Sequence, residues 1–202
     1  MNTVKVYLVD DEPSVTEAIV WLLESVKITA LAFSSATQFL KTMDHEKGPA
    51  CAVIDLRMPE MSGLELQQRL NETRHKNMPI IFLTAHGDVP AAVSAIQAGA
   101  LDFLQKPFNP NTFLEKVRQA MRLAKETHER TQKIKQLNEC IETLSPREYE
   151  VLEGLLAGHT SKEIARQLEI SPKTVDVHRS NVLRKTGAHT SLELMRALSE
   201  LR

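Results

Sequence analysis

Two hydrophobic periods alternate through the first half of this 202-residue chain, and that alternation is what most restricts its fold. Runs 4–9, 28–33, 50–54, 79–83 and 101–104 are short, apolar and of strand length. Between them, stretches 14–26, 35–44, 62–72, 89–98 and 111 onward space their apolar residues as an amphipathic helix does. Strand and helix in strict alternation predict βαβ units and a parallel sheet covered on both faces. Pro13 suits the first position of a helix, and Gly99 suits a left-handed cap at the end of one. Five strands and five helices match the flavodoxin-like doubly wound arrangement.

Charged groups close several of these runs. Asp10 and Asp11 follow Val6-Tyr7-Leu8-Val9, Asp55 follows Ala52-Val53-Ile54, and Lys106 follows Phe103-Leu104 with Pro107 behind it. The carboxyl ends of parallel strands share one rim, where ligands of such sheets bind. Carboxylates gathered there repel one another unless a hard cation sits among them. Oxygen donors of this kind suit Mg²⁺, which takes one or two carboxylates and keeps positions for water and a phosphoryl group. A lysine opposite the cation can pair with that phosphoryl group. The residues describe a phosphate-accepting aspartate.

Composition sets limits on the rest. Apolar residues make up 42% of the chain and aromatics 4%, which predicts aliphatic cores. The formal net charge of −1 conceals an uneven spread: residues 1–110 carry 9 basic and 13 acidic side chains, residues 111–144 carry 7 and 5, and residues 145–202 carry 9 and 8. The acidic half fits a cation site, whereas the small C-terminal excess of positive charge does not by itself establish nucleic-acid binding. Cys51 and Cys140 have no metal-ligand spacing and suggest no disulfide framework, in keeping with a reducing cytoplasm. There is no signal-like N-terminal segment, and no apolar run approaches the length of a membrane span. The scattered histidines offer no zinc site.

From Thr112 the helical pattern runs on without Gly or Pro until Pro146. Phe113, Val117, Ala120 and Ala124 form one stripe, and Ile134, Leu137, Ile141 and Leu144 recur further along. This predicts a long helical linker, either with short coiled-coil character or as a solvated spacer, since Lys125 to Lys133 contains no large apolar residue. Beyond it, Ser145-Pro-Arg-Glu148, Thr160-Ser-Lys-Glu163 and Thr190-Ser-Leu-Glu193 each read as a capping box, and Ser171-Pro172 as an N-cap with proline behind it. Helices are expected at 146–157, 161–168, 172–186 and 191–201, the middle pair having helix-turn-helix dimensions.

Two resemblances give these patterns an expected role. The stretches LVDDEPSV, VIDLRMPEMSGLEL, PIIFLTAHGD and GALDFLQKPF resemble the receiver domain of two-component response regulators, in order and in spacing. The resemblance implies that a sensor histidine kinase donates a phosphoryl group to Asp55. It also implies Mg²⁺ held by Asp10, Asp11, Asp55 and the backbone carbonyl of Arg57. Lys106 and Thr84 would contact the phosphoryl group, Phe103 would swing inward afterwards, and Arg57 and His86 would influence acyl-phosphate hydrolysis. A patch of Ala92, Val93 and Ile96 on the fourth helix would take part in dimerisation on phosphorylation, unless those residues simply face the sheet.

The stretch LSPREYEVLEGLLAGHTSKEIARQLEISPKTVDVHRSNVLRKTGA resembles the LuxR-type helix-turn-helix of NarL/FixJ-type response regulators. It implies a recognition helix at 172–186 that enters the major groove of promoter DNA. Lys173, Thr174, Arg179, Arg184 and Lys185 are then candidates for phosphates, and Val177, Ser180 and Asn181 for base edges, with His178 partly inward. Asp176 departs from the lysine that many such helices carry; it either accepts from cytosine or pairs with Lys173 or Arg179.

The expected organisation is α/β plus all-α: a receiver at 1–120, a helical linker at 121–142 and a four-helix DNA-binding domain at 143–202. The expected function is that of a cytoplasmic transcription regulator with a sensor kinase, promoter DNA, a second copy of itself and possible RNA polymerase as partners. No catalysis is expected beyond its own phosphoryl transfer and acyl-phosphate hydrolysis. Rival readings are a Mg²⁺-dependent phosphohydrolase, a scaffold that works without phosphorylation, and a small-molecule-sensing regulator. The first lacks an Asp-x-Asp nucleophile motif, the second has no need of a full acidic rim, and the third would not carry one.

Overall fold

A computed structural model describes residues 3–84 and 89–199. His86 and the last residues of the expected C-terminal helix lie outside the described residues. The chain divides into two compact units, residues 1–129 and 130–202.

The first unit is a five-stranded parallel sheet. In chain order it contains β1 (Lys5–Val9), α1 (Pro13–Ser25), β2 (Ala30–Phe33), α2 (Ala36–Met43), β3 (Ala50–Asp55), α3 (Gly63–Asn71), β4 (Ile80–Thr84), α4 (Val89–Gln97) and β5 (Asp102–Gln105). The strands lie in the order β2-β1-β3-β4-β5, the doubly wound order expected from the alternation. The inner strands are buried throughout: every residue of β3 and β4, and of β1 except Lys5, is buried. Helices on both faces require such continuous apolar strands.

One face packs Tyr7, Phe39, Ile54, Leu66 and Phe82. The other packs Leu8, Leu23, Val53, Ile81, Phe113 and Val117. Burying a side chain of that size contributes about 1.5–3 kcal/mol, so these two layers dominate the unit's stability. Glu46 ties the amino end of β1 to the loop beyond α2. Lys5 Nζ and Tyr7 Oη each donate to its Oε2 at 2.6 Å, and the Gly48 amide donates to Oε1 at 2.7 Å. Burial alone would raise this carboxyl, but those donors hold it at about 2. No periodic signal announces this cluster.

A single helix, α5 (Pro110–Glu142), runs for 33 residues. Its stripe Phe113, Val117, Ala120 and Ala124 is buried in the first unit, as the spacing predicts. Its later residue Leu137 packs in the second unit with Leu152, Val182 and Leu194.

The second unit adds α6 (Pro146–Leu156), α7 (Ser161–Gln167), α8 (Pro172–Thr186) and α9 (Ser191–Ser199). The caps fall where the sequence places them. Ser145 with Glu148 and Thr160 with Glu163 form complete capping boxes. The third differs slightly: Thr190 caps Glu193, but the Glu193 carboxylate reaches back to the amide of His189. Gly154 lets α6 and α7 close together, because a β-carbon there would stand 2.7 Å from Ile164. Gly187 ends α8 at φ +71°, a conformation glycine adopts without steric cost.

Glu148 both caps α6 and receives Lys185 Nζ at 2.6 Å, and the same ammonium bonds Thr143 O at 3.1 Å. The Lys185 hydrogen bond, followed by the Ser145 amide, holds the Glu148 carboxyl at about 2, below the ordinary 4.5. A folded value below the unfolded one means stability that is present above about pH 4.5 and is lost as pH falls toward 2. Glu148→Gln should therefore destabilise the second unit near neutrality by about 1–3 kcal/mol and flatten its acid limb. Amide signals of α6 and α8 followed by NMR through an acid titration would check this.

Candidate functional site: an acidic rim and a recognition helix

Three strand ends bring the chemistry of the first unit together. Asp55 is the last residue of β3, Asp10 follows β1 directly, and Lys106 follows β5. Lys106 Nζ lies 2.6 Å from Asp55 Oδ1 and 2.7 Å from Asp10 Oδ2, with Glu12 Oε1 at 3.9 Å. Both aspartates are buried, at 1% and 7% exposure. Their second oxygens accept backbone amides: Glu12 N donates to Asp10 Oδ1 at 2.9 Å, and Arg57 N donates to Asp55 Oδ2 at 2.7 Å.

The electrostatics follow from that burial. Desolvation pushes the Asp55 carboxyl above the usual range, against the pull of Lys106 and the Arg57 amide, and nearby Asp10 adds to the rise. Burial pulls Lys106 down, but its bonds to Asp10 and Asp55 outweigh this and hold the ammonium above its ordinary value. A protonated lysine between two desolvated carboxylates leaves the pocket with excess negative charge.

Asp11 is only half-buried and follows Asp10 in the chain. Among the described residues no three Asp, Glu, His or Cys side chains converge on one metal-sized point, because the group that meets Asp10 and Asp55 is Lys106. Glu12, which sequence reasoning passed over, also approaches this lysine; the Asp-Asp-Glu run was its only signal.

The supporting residues are placed by strand pairing. Thr84 ends β4, is 4% exposed, and accepts the Lys106 amide through its own carbonyl at 2.8 Å. Phe103 pairs with Phe82 across β4 and β5 and is 39% exposed. On α4, Val93 and Ile96 are 49% and 41% exposed, whereas Ala92 is buried at 1%. The expected apolar patch therefore contains Val93 and Ile96 but not Ala92. Gly63 opens α3 directly beneath the site; a β-carbon there would lie 2.5 Å from the backbone oxygen of Asp55. Only glycine lets α3 start so close.

In the second unit, Val175 and Val182 are fully buried against α6 and α7 or α9 partners. The opposite side of α8 exposes Lys173, Thr174, Asp176, Val177, Ser180 and Arg184. His178, Arg179, Asn181 and Lys185 are half-buried. Thr174 shares a hydroxyl contact with Ser171 at 2.8 Å, and Ser180 Oγ donates to its own helix at Asp176 O, 2.9 Å away. Lys185 Nζ is held by Glu148 and Thr143. Ser161 Oγ of α7 donates to Asp176 Oδ1 at 2.8 Å, and the described contacts of Asp176 include no ion pair with Lys173 or Arg179.

Both halves match known families. Residues 6–118 match the response regulator receiver domain, and residues 142–198 match the bacterial regulatory proteins of the luxR family. The chain belongs to the response regulators. The regulator is 40% identical to the response regulator protein TodT of Pseudomonas putida, over 98% of this chain and 86% of that one. It is 37% identical to the transcriptional regulatory protein FixJ of Bradyrhizobium diazoefficiens, over 95% and 92% respectively. Among solved structures it resembles response regulator StyR with a TM-score of 0.81 at 36% identity, covering 98% of this chain and 99% of that one. It is thus a transcriptional response regulator with a LuxR-type DNA-binding domain, and none of its described helices is long and apolar enough to cross a membrane.

The lysine contact can be tested without any partner. Lys106→Met leaves two buried carboxylates uncompensated and should cost the first unit about 3–5 kcal/mol at pH 7. The deficit should be smaller at acid pH, because protonation of a buried carboxylate removes its uncompensated charge. Urea unfolding followed by the amide NMR signals of β1 and β3 at neutral and acid pH would measure both; an equal loss at both pH values would mean that packing, not charge, sets the effect.

Proposed function

We propose that Asp55 accepts a phosphoryl group from a sensor histidine kinase in the cytoplasm, and that the modified chain dimerises and binds promoter DNA through α8. The observation that carries this reading is the buried Asp10–Lys106–Asp55 arrangement at the carboxyl rim of the sheet. An Asp55 oxygen attacks the phosphorus of a phosphohistidine, the P–N bond breaks, and the imidazole leaves with the bond's electrons. Burial makes the Asp55 carboxylate poorly hydrated and so a better nucleophile. Lys106 then transfers its contact from the carboxylates to the phosphoryl oxygens, whose charge it offsets.

The surplus negative charge of two buried carboxylates and adjacent Asp11, all hard oxygen donors, fits Mg²⁺. Asp10, Asp11, Asp55 and the Arg57 carbonyl would hold it, and it supplies positive charge against the phosphoryl oxygens. Release of Lys106 from its two carboxylates pulls on Thr84, whose carbonyl holds the Lys106 amide. Thr84 bonding to the new phosphoryl group vacates space beside it, into which Phe103 turns. That motion changes the face formed with Val93 and Ile96, where a second copy docks. Two recognition helices then meet two half-sites, each helix placing Lys173, Thr174, Arg179, Arg184 and Lys185 near phosphates and Val177, Ser180 and Asn181 near bases, with His178 partly inward. Contact with RNA polymerase at the promoter completes the output.

Incubation with acetyl phosphate and Mg²⁺ should add one phosphoryl group to the intact mass, and Asp55→Asn should abolish the gain. Persistence of the gain in that variant would move the acceptor elsewhere. Sedimentation with beryllofluoride should shift monomer toward dimer, and Phe103→Ser should weaken the shift. An unchanged molecular weight across micromolar concentrations would exclude dimerisation as the response.

A further inference from the structure

We propose that Asp176 specifies a base: its carboxylate accepts the N4 amino group of a cytosine in each half-site, with Ser161 as its positioning residue. The inference rests on the DNA-reading role proposed for α8 and adds a base identity to it.

Asp176 lies on the exposed ribbon of α8 with Lys173, Val177, Ser180 and Arg184, opposite the buried Val175 and Val182. An aspartate on that ribbon is unfavourable for general DNA affinity, since phosphates repel it. What can offset that repulsion is a donor from the DNA itself. In the major groove the exocyclic amino groups of cytosine and adenine are donors, but adenine sets the acceptor N7 beside its amino group. A carboxylate is acceptor-only and would meet N7 unfavourably. Cytosine N4 has no such neighbour on its own ring, so it is the preferred partner.

The structure prepares the group for that task. Ser161 Oγ, at the start of α7, donates to Asp176 Oδ1 at 2.8 Å. The bond fixes the rotamer and leaves Oδ2 as the remaining acceptor, so less side-chain freedom is lost on binding. The neighbouring candidates are less available. Ser180 donates its hydroxyl to the Asp176 carbonyl at 2.9 Å, and Asn181 is half-buried with its Oδ1 facing Arg184. Asp176 is therefore the pre-positioned polar group at the centre of the ribbon.

The test is selection from a pool of randomised double-stranded DNA by the full-length chain treated with acetyl phosphate, comparing wild type, Asp176→Asn, Asp176→Ala and Ser161→Ala. Wild type should favour cytosine about tenfold at one position of each half-site, as expected of a good base contact. Asp176→Asn should move the preference at that position to adenine, since an amide both donates and accepts. Asp176→Ala should erase the preference there, leave the other positions unchanged, and bind scrambled DNA more tightly than wild type. Ser161→Ala should keep cytosine but at reduced discrimination. Thermal melting of each variant near the wild-type temperature shows that folding is intact. If the three Asp176 forms select superimposable sequences, Asp176 is only a clamp between α7 and α8, and the proposal is overturned. If wild type enriches no sequence at all, the DNA-reading role of α8 fails, and this inference fails with it.

Discussion

One ammonium group between two buried carboxylates organises the first unit. Lys106 comes from the far end of the sheet, Asp10 from β1 and Asp55 from β3, so their meeting at 2.6–2.7 Å depends on every intervening strand being in register. Burial strengthens the attraction within the cluster but adds a desolvation cost, and two carboxylates against one ammonium leave more negative than positive charge in the pocket. An unbalanced buried site favours binding of a cation and of a group that can take over the lysine. On the proposed reading, the resting contact is already half of a switch.

The surroundings restrict how the proposed switch would move. Gly63 allows α3 to begin against the Asp55 backbone, which closes the floor of the site. On the far side of α3, Gln67 Nε2 donates to Ala95 O at 3.2 Å and Asn71 Nδ2 donates to Ala98 O at 3.0 Å. These side chains, one helical turn apart, hold the carboxyl end of α4. Changes near Thr84 and Phe103 therefore act on an element anchored at one end, which favours a pivot over a free displacement.

The second unit uses a different economy of interactions. Its helices are short, and short helices depend on caps and packing because isolated ones are marginal. Glu148 caps α6 and at once pairs with Lys185 on α8, so one carboxylate closes a helix start and joins two helices. Ser161 and Asp176 make a second cross-connection between α7 and α8. Polar groups on this small domain serve the fold first, which is why charge alone is a poor guide to which of them face DNA.

The local order of the chain was legible in the sequence because it rests on short-range physics. Apolar alternation gave the strands, capping boxes at Ser145 and Thr160 gave the helix starts, and the stripe from Phe113 to Ala124 gave the buried face of α5. The position of Asp10, Asp55 and Lys106 on one rim also followed, since parallel strands align their carboxyl ends. Long-range partners did not follow. Nothing in the sequence spacing tells that Lys185 meets Glu148, that Asp176 meets Ser161, or that Glu46 gathers Lys5 and Tyr7, because those pairs are separated by 37, 15 and about 40 residues. Nor could periodicity separate buried Ala92 from exposed Val93 on a helix that is apolar nearly all round. The sequence by itself determined which residue types stand at each strand and helix end. The tertiary structure decided which charges are shared and which remain free, because a side chain's reach crosses elements while a sequence pattern describes only one.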